Sequence, residues 1–299
     1  MRLLRIASSD PLSTFHAQAR VLGDVFVGEG ICGSVEVLVT TGSVVNAQMV
    51  VRGEAETGFM ASNWVARAVA GEDPFPEPVA VAVVAPLNAG PLFFVAPADA
   101  PFSTVAELKG RRVAVGHADS GMAQHARNMA EVLGWEDAGI EFVHRSTFDG
   151  GAALAEGVVD AQLSAPVPSV HFDELCRRLA VKVLAFSEDE IAALCSAVPF
   201  YSPASVPAEF VPGLAADMPA LGVLNIIVAA RDGNEALAHD MAAAWIRRAA
   251  DVEDANPLFR GLGELMARAR TAGREAIAPG GIPLHRGAEQ AFREAGLLR

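Results

Sequence analysis

Residues 3–28 read LLRIASSDPLSTFHAQARVLGDVFVG, which is an apolar run, a polar turn and a stretch with apolar residues at helical spacing. This order predicts a strand over Leu3–Ala7 and a helix over Thr14–Gly28. The same strand–turn–helix unit recurs twice, with residues 40–43 (TTGS) and 116–121 (GHADSG) as the turns. Because strands alternate with helices, the sequence predicts an α/β protein with mostly parallel sheets.

The same alternation continues outward from these units through most of the chain. Apolar runs predict strands over 79–84, 92–95 and 181–186, and the second turn predicts a helix capped by Ser43. Residues 199–219 are rich in proline and lack periodicity, which predicts a connecting segment. Helical spacing predicts three closing helices, over 235–250, 261–272 and 286–295.

A chain of 299 residues exceeds one ordinary domain, so we expect two compact lobes. The long apolar run after the proline-rich segment suits a strand that passes between the lobes. We expect lobe 1 to comprise residues 1–88 and 222–299, and lobe 2 to comprise residues 89–221. The hinge strands are expected near 85–95 and 219–226.

Composition narrows the classes of partner. Hydrophobic residues make up 52% of the chain and charged residues 20%, which is enough for two buried cores. The formal net charge is −13, and the few arginine pairs are typical of solvated helix or strand ends, so we expect no nucleic-acid partner. An anionic ligand would have to be held by local groups, because the overall field does not attract it.

The three cysteines, Cys32, Cys176 and Cys195, show no metal-ligand spacing, and we expect no metal and no cofactor. Buried thiols are expected, and a Cys176–Cys195 disulfide stays open. No segment is apolar and long enough to cross a bilayer. The first residues lack a full signal-peptide core, so the protein is either cytoplasmic or periplasmic with its leader trimmed.

Polar turns after parallel strands point to a binding site. In open parallel sheets, ligands bind beyond the carboxyl ends of the strands, and free N–H groups at the following helix attract anions. Each turn alone is also explained as an ordinary helix cap. Three such turns divided between two lobes favour a cleft that holds a small polar molecule.

Several stretches spread over nearly the whole chain form an ordered set, and they are 39–46 (VTTGSVVN), 53–59 (GEAETGF), 108–116 (LKGRRVAVG) with 120–121 (SG), 153–161 (ALAEGVVDA) and 282–288 (IPLHRGA). In their residues and their order they resemble the TAXI family of TRAP-transporter solute-binding proteins. The resemblance implies a two-lobed fold like that of type II periplasmic binding proteins. It also implies capture of a small organic acid or amino-acid-like metabolite for TRAP membrane subunits, without catalysis, by a protein expected to be a monomer.

The candidate ligand contacts come from the resemblance and from the turns. The resemblance implies Thr14, Phe15, Thr41, Gly42, Ser43, Asn46, Ser62, Asn63, Ser120, Gly121, Ser164 and Pro166. The chemistry of the turns and of the aromatic residues adds Ser9, His16, His117 and Tyr201.

The departures from the family pattern keep other functions open. Leu12-Ser13 replaces a glycine pair, and Met122-Ala123 follows Ser-Gly where the family usually has threonine, so the expected carboxylate clamp has lost donors. An enzyme on the same fold is one alternative, with decarboxylation or cofactor-precursor chemistry. A cytoplasmic ligand sensor is another. His16 and Cys32 are the one base–nucleophile pair that can be imagined, without a recognisable third group.

Overall fold

A computed structural model of the chain describes residues 2–11, 13–118, 120–135, 138–164 and 167–299. The elements up to the middle of the chain are β1 (Leu3–Ala7), α1 (Thr14–Gly28), β2 (Ser34–Leu38), α2 (Ser43–Val51), β3 (Thr57–Ala61), α3 (Ser62–Ala70), β4 (Val81–Pro97), β5 (Arg112–Ala114), α4 (Gly121–Leu133) and β6 (Glu141–Val143). The later elements are α5 (Thr147–Ala155), β7 (Ala161–Ser164), α6 (Val170–Arg178), β8 (Val181–Leu184), α7 (Glu188–Ala197), β9 (Tyr201–Val206), β10 (Met218–Ala230), α8 (Glu235–Ala255), α9 (Leu262–Ala272), α10 (Arg274–Ile277) and α11 (Arg286–Glu294). Short 3-10 turns occur at Val105–Leu108, Ala208–Phe210, Pro257–Phe259 and Pro279–Gly281.

Two compact units divide the chain. Unit 1 comprises Met1–Ala89 with Leu224–Arg299, and unit 2 comprises Gly90–Val223. Strands β4 and β10 each begin in one unit and end in the other. Unit 1 is therefore built from two separate stretches of chain, whereas unit 2 is built from one.

Three strands of the unit 1 sheet run parallel to one another. β1 pairs in parallel with both β2 and β3, and β10 pairs antiparallel with β3. The carboxyl ends of β1, β2 and β3 consequently lie at one edge, which we call the unit 1 edge. Helices α1, α2 and α3 begin at this edge, each directly after the loop or residue that ends its strand.

The core of unit 1 draws on both stretches of chain. Trp245 of α8 is fully buried, and its indole N–H donates to the carbonyl of Pro86 at 2.7 Å. Helix α11 packs against α8 so closely that a Cβ added at Gly287 would lie 2.0 Å from the Glu235 carbonyl oxygen. Gly287 is thus required by a close approach of two backbones.

Unit 2 repeats the plan of unit 1. β5 pairs in parallel with β6 and β7, while β4 pairs antiparallel with β7 and β8. Helices α4, α5 and α6 follow the parallel strands β5, β6 and β7. Buried aromatic side chains fill the core, including Phe93 against Phe172 with ring centroids 5.5 Å apart.

The structure differs from the sequence prediction at four places. Residues 199–219 contain β9, which is an edge strand, and edge strands tolerate a proline such as Pro203. Helix α7 was not predicted, although Ser187 and Glu190 form a capping box before it. The runs 79–84 and 92–95 belong to the single strand β4. Helix α2 has Gly42 as its N-cap, because the Ser43 hydroxyl accepts from the Ala61 N–H instead.

Candidate functional site

The loops at the unit 1 edge are tied to each other by hydrogen bonds. Both the backbone N–H and the hydroxyl of Ser8 donate to the carbonyl of Leu38, at 3.1 and 2.8 Å. The Thr40 hydroxyl lies 3.0 Å from the carbonyl of Ser8. The ends of β1 and β2 are therefore held in a fixed relation, which pre-forms the surface that they share.

Asn46 connects all three parallel strands of unit 1. Its amide nitrogen donates to the carbonyls of Ser8 and Phe59, at 2.6 and 2.7 Å, and its oxygen lies 2.6 Å from the Thr40 hydroxyl. The side chain is fully buried. Asn46 was predicted to contact the ligand. In the structure its polar atoms form hydrogen bonds within unit 1, where they position the loops.

Helices α2 and α3 begin at the unit 1 edge without a side-chain cap. Their N-cap residues are Gly42 and Ala61, whereas α1 and α4 to α8 begin with a serine or asparagine whose side chain accepts from a backbone N–H. Gly42 has φ +109°, a conformation that favours glycine. The first N–H groups of α2 and α3 give this edge a partial positive charge that attracts anions.

Buried polar atoms without partners occur at the same edge. They are the hydroxyls of Thr14 and Ser62 and both polar atoms of the Asn63 amide, and none of them finds a hydrogen-bond partner among the described residues. Ser62 is 1% exposed and Asn63 is 2% exposed. Since a buried unsatisfied polar group costs about 1–3 kcal/mol, such a cluster indicates a place where something else binds.

A second polar group near the start of α1 was not foreseen. The Gln18 amide nitrogen donates to the Asn88 side chain at 3.0 Å and to the Leu258 carbonyl at 2.9 Å, and its oxygen has no partner. Asn88 interrupts an apolar stretch of β4, which was the available signal in the sequence. Phe15, a predicted contact, lies on the same helix with its ring 5.6 Å from that of Phe59.

The remaining predicted residues of unit 1 differ in exposure. Ser9 and Ser43 are half-buried, and Thr41 is exposed. His16 Nδ1 lies 3.1 Å from the Ser8 hydroxyl. Because that hydroxyl donates to Leu38, we assign the Nδ1 proton to His16, which leaves Nε2 as the acceptor.

In unit 2, the predicted residues follow β5 and β7. The Ser120 hydroxyl caps α4 by accepting from the Ala123 N–H at 3.2 Å, and Gly121 is the first residue of that helix. His117 is exposed, and Ser164 is buried at the end of β7. Pro166 lies outside the described residues.

Arg145 is a cationic residue of unit 2 that sequence reasoning did not single out. It is exposed in the loop after β6, next to His144, whose Nδ1 lies 3.3 Å from the Gly116 carbonyl. Its position directly after a parallel strand was the signal that could have found it.

Tyr201 belongs to a buried polar group inside unit 2. Its hydroxyl lies 2.8 Å from His125 Nδ1 and 3.4 Å from the Asn128 amide nitrogen. Burial raises the pKa of Tyr201 well above its ordinary value, and burial lowers the pKa of His125 to about 4. His125 is therefore neutral at pH 7, and the phenol donates to it.

This burial makes the stability of unit 2 depend on pH. In the unfolded state His125 becomes protonated below about pH 6.5, whereas in the folded state it stays neutral down to about pH 4. The free energy of unfolding therefore decreases as the pH falls from 6.5 to 4. We expect chemical denaturation to show unit 2 about 2 kcal/mol less stable at pH 5 than at pH 7.5. A His125→Gln variant should lose this part of the slope, and His117→Gln, at an exposed position, should keep it. Equal slopes in both variants would contradict the assignment.

Within the described residues, no group of three or more His, Cys, Asp or Glu side chains is placed to hold a metal ion. Over the same residues, no helix combines the length and the apolar character needed to cross a membrane.

The three cysteines are free thiols, Cys32 buried and the other two half-buried. Burial raises the pKa of the Cys32 thiol, which disfavours the thiolate.

Parallel α/β units with polar groups at their strand ends define the class of the protein. The predicted periplasmic-binding-protein-like α/β fold is confirmed, since proteins of that class match nearly the whole chain. More narrowly, the chain belongs to the NMT1-like family, whose model matches residues 28–296.

Three solved structures illustrate the fold. A periplasmic sulfonate-binding protein, SsuA of a putative sulfonate ABC transporter from Methylobacillus flagellatus KT, matches with a TM-score of 0.57 and 16% identity, over 99% of this chain and 96% of that one. MatC from Rhodopseudomonas palustris with bound malate matches with a TM-score of 0.57 and 16% identity, over 100% and 97%. The effector-binding domain of a BenM variant matches with a TM-score of 0.51 and 12% identity, over 84% and 96%. At these identities the likeness establishes the fold alone.

Proposed function

We propose that the protein is a solute-binding protein that captures a small organic acid or amino-acid-like metabolite. The observation that carries the proposal is the cluster of unpartnered atoms of Thr14, Ser62 and Asn63 beside the uncapped helices α2 and α3. The hydroxyls and the amide N–H groups donate to carboxylate oxygens, while Asn63 Oδ1 accepts from an ammonium or hydroxyl group. Such a donor set holds an anionic head group without an arginine.

The neighbouring predicted residues have complementary roles in this proposal. Thr41, Gly42 and Ser43 present the start of α2, and Asn46 holds the two loops in place. Phe15 offers an apolar wall next to the polar cluster. The resemblance adds Ser120 and the other candidate residues of unit 2 as further ligand contacts, and β4 and β10 as hinge strands.

Binding without catalysis is supported by the surroundings of His16. The hydroxyl hydrogen-bonded to its ring belongs to Ser8, which is fully buried and donates to a carbonyl, so this hydroxyl does not reach a substrate. Cys32 is 2% exposed and its thiol is held protonated. Neither residue has the accessible, activated form that nucleophilic catalysis needs.

The partner and the compartment are also proposals. The resemblance to the TAXI family supports TRAP membrane subunits as the recipients of the solute, and the periplasmic neighbours support a periplasmic location. Fractionation of cells expressing the complete reading frame tests the location. Uptake of the bound solute, measured in strains lacking either the TRAP membrane subunits or this protein, tests the partner.

Isothermal titration of the protein against panels of carboxylic acids, amino acids and sulfonates tests the binding function. We expect one class of small anion to bind with 1:1 stoichiometry and to be recovered unchanged after long incubation. Conversion of the bound molecule would instead support the alternative that the protein is an enzyme on the same fold. Ligand-dependent capture of a soluble regulator would support the alternative that it is a cytoplasmic ligand sensor. Absence of binding across all panels would contradict the proposal.

A further inference from the structure

A groove near the end of unit 1 is lined by four arginines. It has a volume of about 560 Å³ and lies where the α9–α10 junction meets the end of α11. The arginines are Arg270, Arg274, Arg293 and Arg299, and Glu289 is the acidic residue among the lining side chains. The groove therefore carries a side-chain charge of +3 in a chain whose net charge is −13.

The internal contacts of the groove leave most of this charge uncompensated. Arg274 and Arg293 donate to the two different oxygens of the Glu289 carboxylate, at 2.7 and 2.8 Å, and Arg293 also donates to the main-chain oxygen of Arg299. These contacts hold the pKa of Glu289 below its ordinary value, so it counts as one full negative charge. The side chains of Arg270 and Arg299 form no hydrogen bond or ion pair with the described residues.

Helix dipoles do not account for this arrangement. Arg270 and Arg293 lie in the last turns of α9 and α11, where a cation interacts favourably with the helix by about 0.3–1 kcal/mol. That interaction does not require guanidinium groups from separate segments to face one groove. Arg274 begins α10, directly after the C-cap of α9, and its guanidinium group faces the groove from a different segment than Arg270 and Arg293.

We propose that this groove binds a phosphate-bearing group with more than one negative charge. Guanidinium groups match phosphate oxygens in pairs, and a diphosphate offsets a charge of +3 in a way that a single carboxylate does not. The volume lies in the range of small-molecule sites, and the buried Leu297 adds apolar surface beside the arginines. A free phosphate-bearing metabolite and a phospholipid headgroup share this chemistry.

The test uses the full chain and two probes, inorganic pyrophosphate in solution and vesicles of phosphatidylglycerol with phosphatidylcholine vesicles as reference. We expect either calorimetry to detect binding of pyrophosphate or flotation to detect binding of phosphatidylglycerol vesicles. The probe that binds shows whether the groove takes a free phosphate-bearing metabolite or a phospholipid headgroup. The double variant Arg270→Gln, Arg299→Gln should weaken that binding about tenfold or more. These two side chains have no partner to lose, so the variant should melt like the original protein.

Arg286→Gln is the control, because Arg286 begins α11, its side chain is 83% exposed, and it does not line the groove. It should leave binding unchanged. Because a chain of net charge −13 is repelled by anionic vesicles, binding to them would itself point to a local cationic site. Binding of neither probe, or equal loss in the control and the double variant, would overturn the proposal. The outcome is independent of the solute titrations.

Discussion

Replacing Asn63 by leucine is expected to stabilise the ligand-free protein and to damage ligand binding. Leucine has nearly the shape of asparagine and removes two buried polar atoms that have no partner. We expect the free energy of unfolding to rise by about 1 kcal/mol, because the cost of the unsatisfied amide disappears. Affinity for the solute found by titration should fall by about 10- to 100-fold, because the amide contacts are lost.

Asn46→Leu is the matched control, with the same chemical change at the same edge. Asn46 is equally buried, but its amide is hydrogen-bonded to the ends of three strands. Its loss removes both hydrogen bonds of the amide nitrogen and takes this donor from the Phe59 carbonyl, so stability should fall by about 2–3 kcal/mol. Urea denaturation without ligand measures both variants. A loss of stability in Asn63→Leu similar to that in Asn46→Leu would show that Asn63 is structural.

Gly287→Ala is expected to destabilise unit 1 by about 3 kcal/mol. The added methyl group would meet the backbone of Glu235 and His239, which cannot rotate away, so α11 must move off α8. The fluorescence of Trp245, which is buried in the same core, reports the change during denaturation.

Gly28→Ala provides the control for this substitution. Gly28 ends α1, and nothing lies within 4 Å of the position of its missing Cβ. Its replacement should leave stability unchanged or raise it by up to about 1 kcal/mol, as alanine is the better helix former. Equal effects at the two positions would refute the close approach at Gly287.

The Gly287 result bears on the meaning of the family resemblance. The stretch 282–288 pairs with β4 through Val83, places His285 as the N-cap of α11 and brings Gly287 against α8. These roles are structural. The stretch 282–288 of the resemblance therefore supports the fold, and its roles say nothing about the ligand.

The strand–turn–helix units were predictable because their signals are local. The helix over Thr14–Gly28 was predicted at its observed bounds, since Ser13 caps it and its apolar residues have one helical period. The proline-rich segment misled the prediction, because the pairing of β9 with β10 depends on tertiary contacts that composition does not encode. The interrupted apolar pattern near Asn88 likewise hid the continuity of β4.

The site was less predictable than the fold. Ser62 and Asn63 were found through resemblance, and they are the first two residues of α3. Their burial without partners is a property of the folded chain, which no sequence window contains. The partners of Gln18 are 70 and 240 residues away in the chain, so its half-satisfied amide is visible only in the folded structure.

The order of synthesis gives the divided unit 1 a particular folding problem. Unit 2 is a single stretch and is complete before residues 224–299 leave the ribosome. Unit 1 begins first but must wait for β10 to pair with β3 and for Trp245 of α8 to fill its core. During that interval the β3 edge that pairs with β10 stays open and the part of the core that Trp245 fills stays empty, which is the condition under which nascent chains aggregate or engage chaperones.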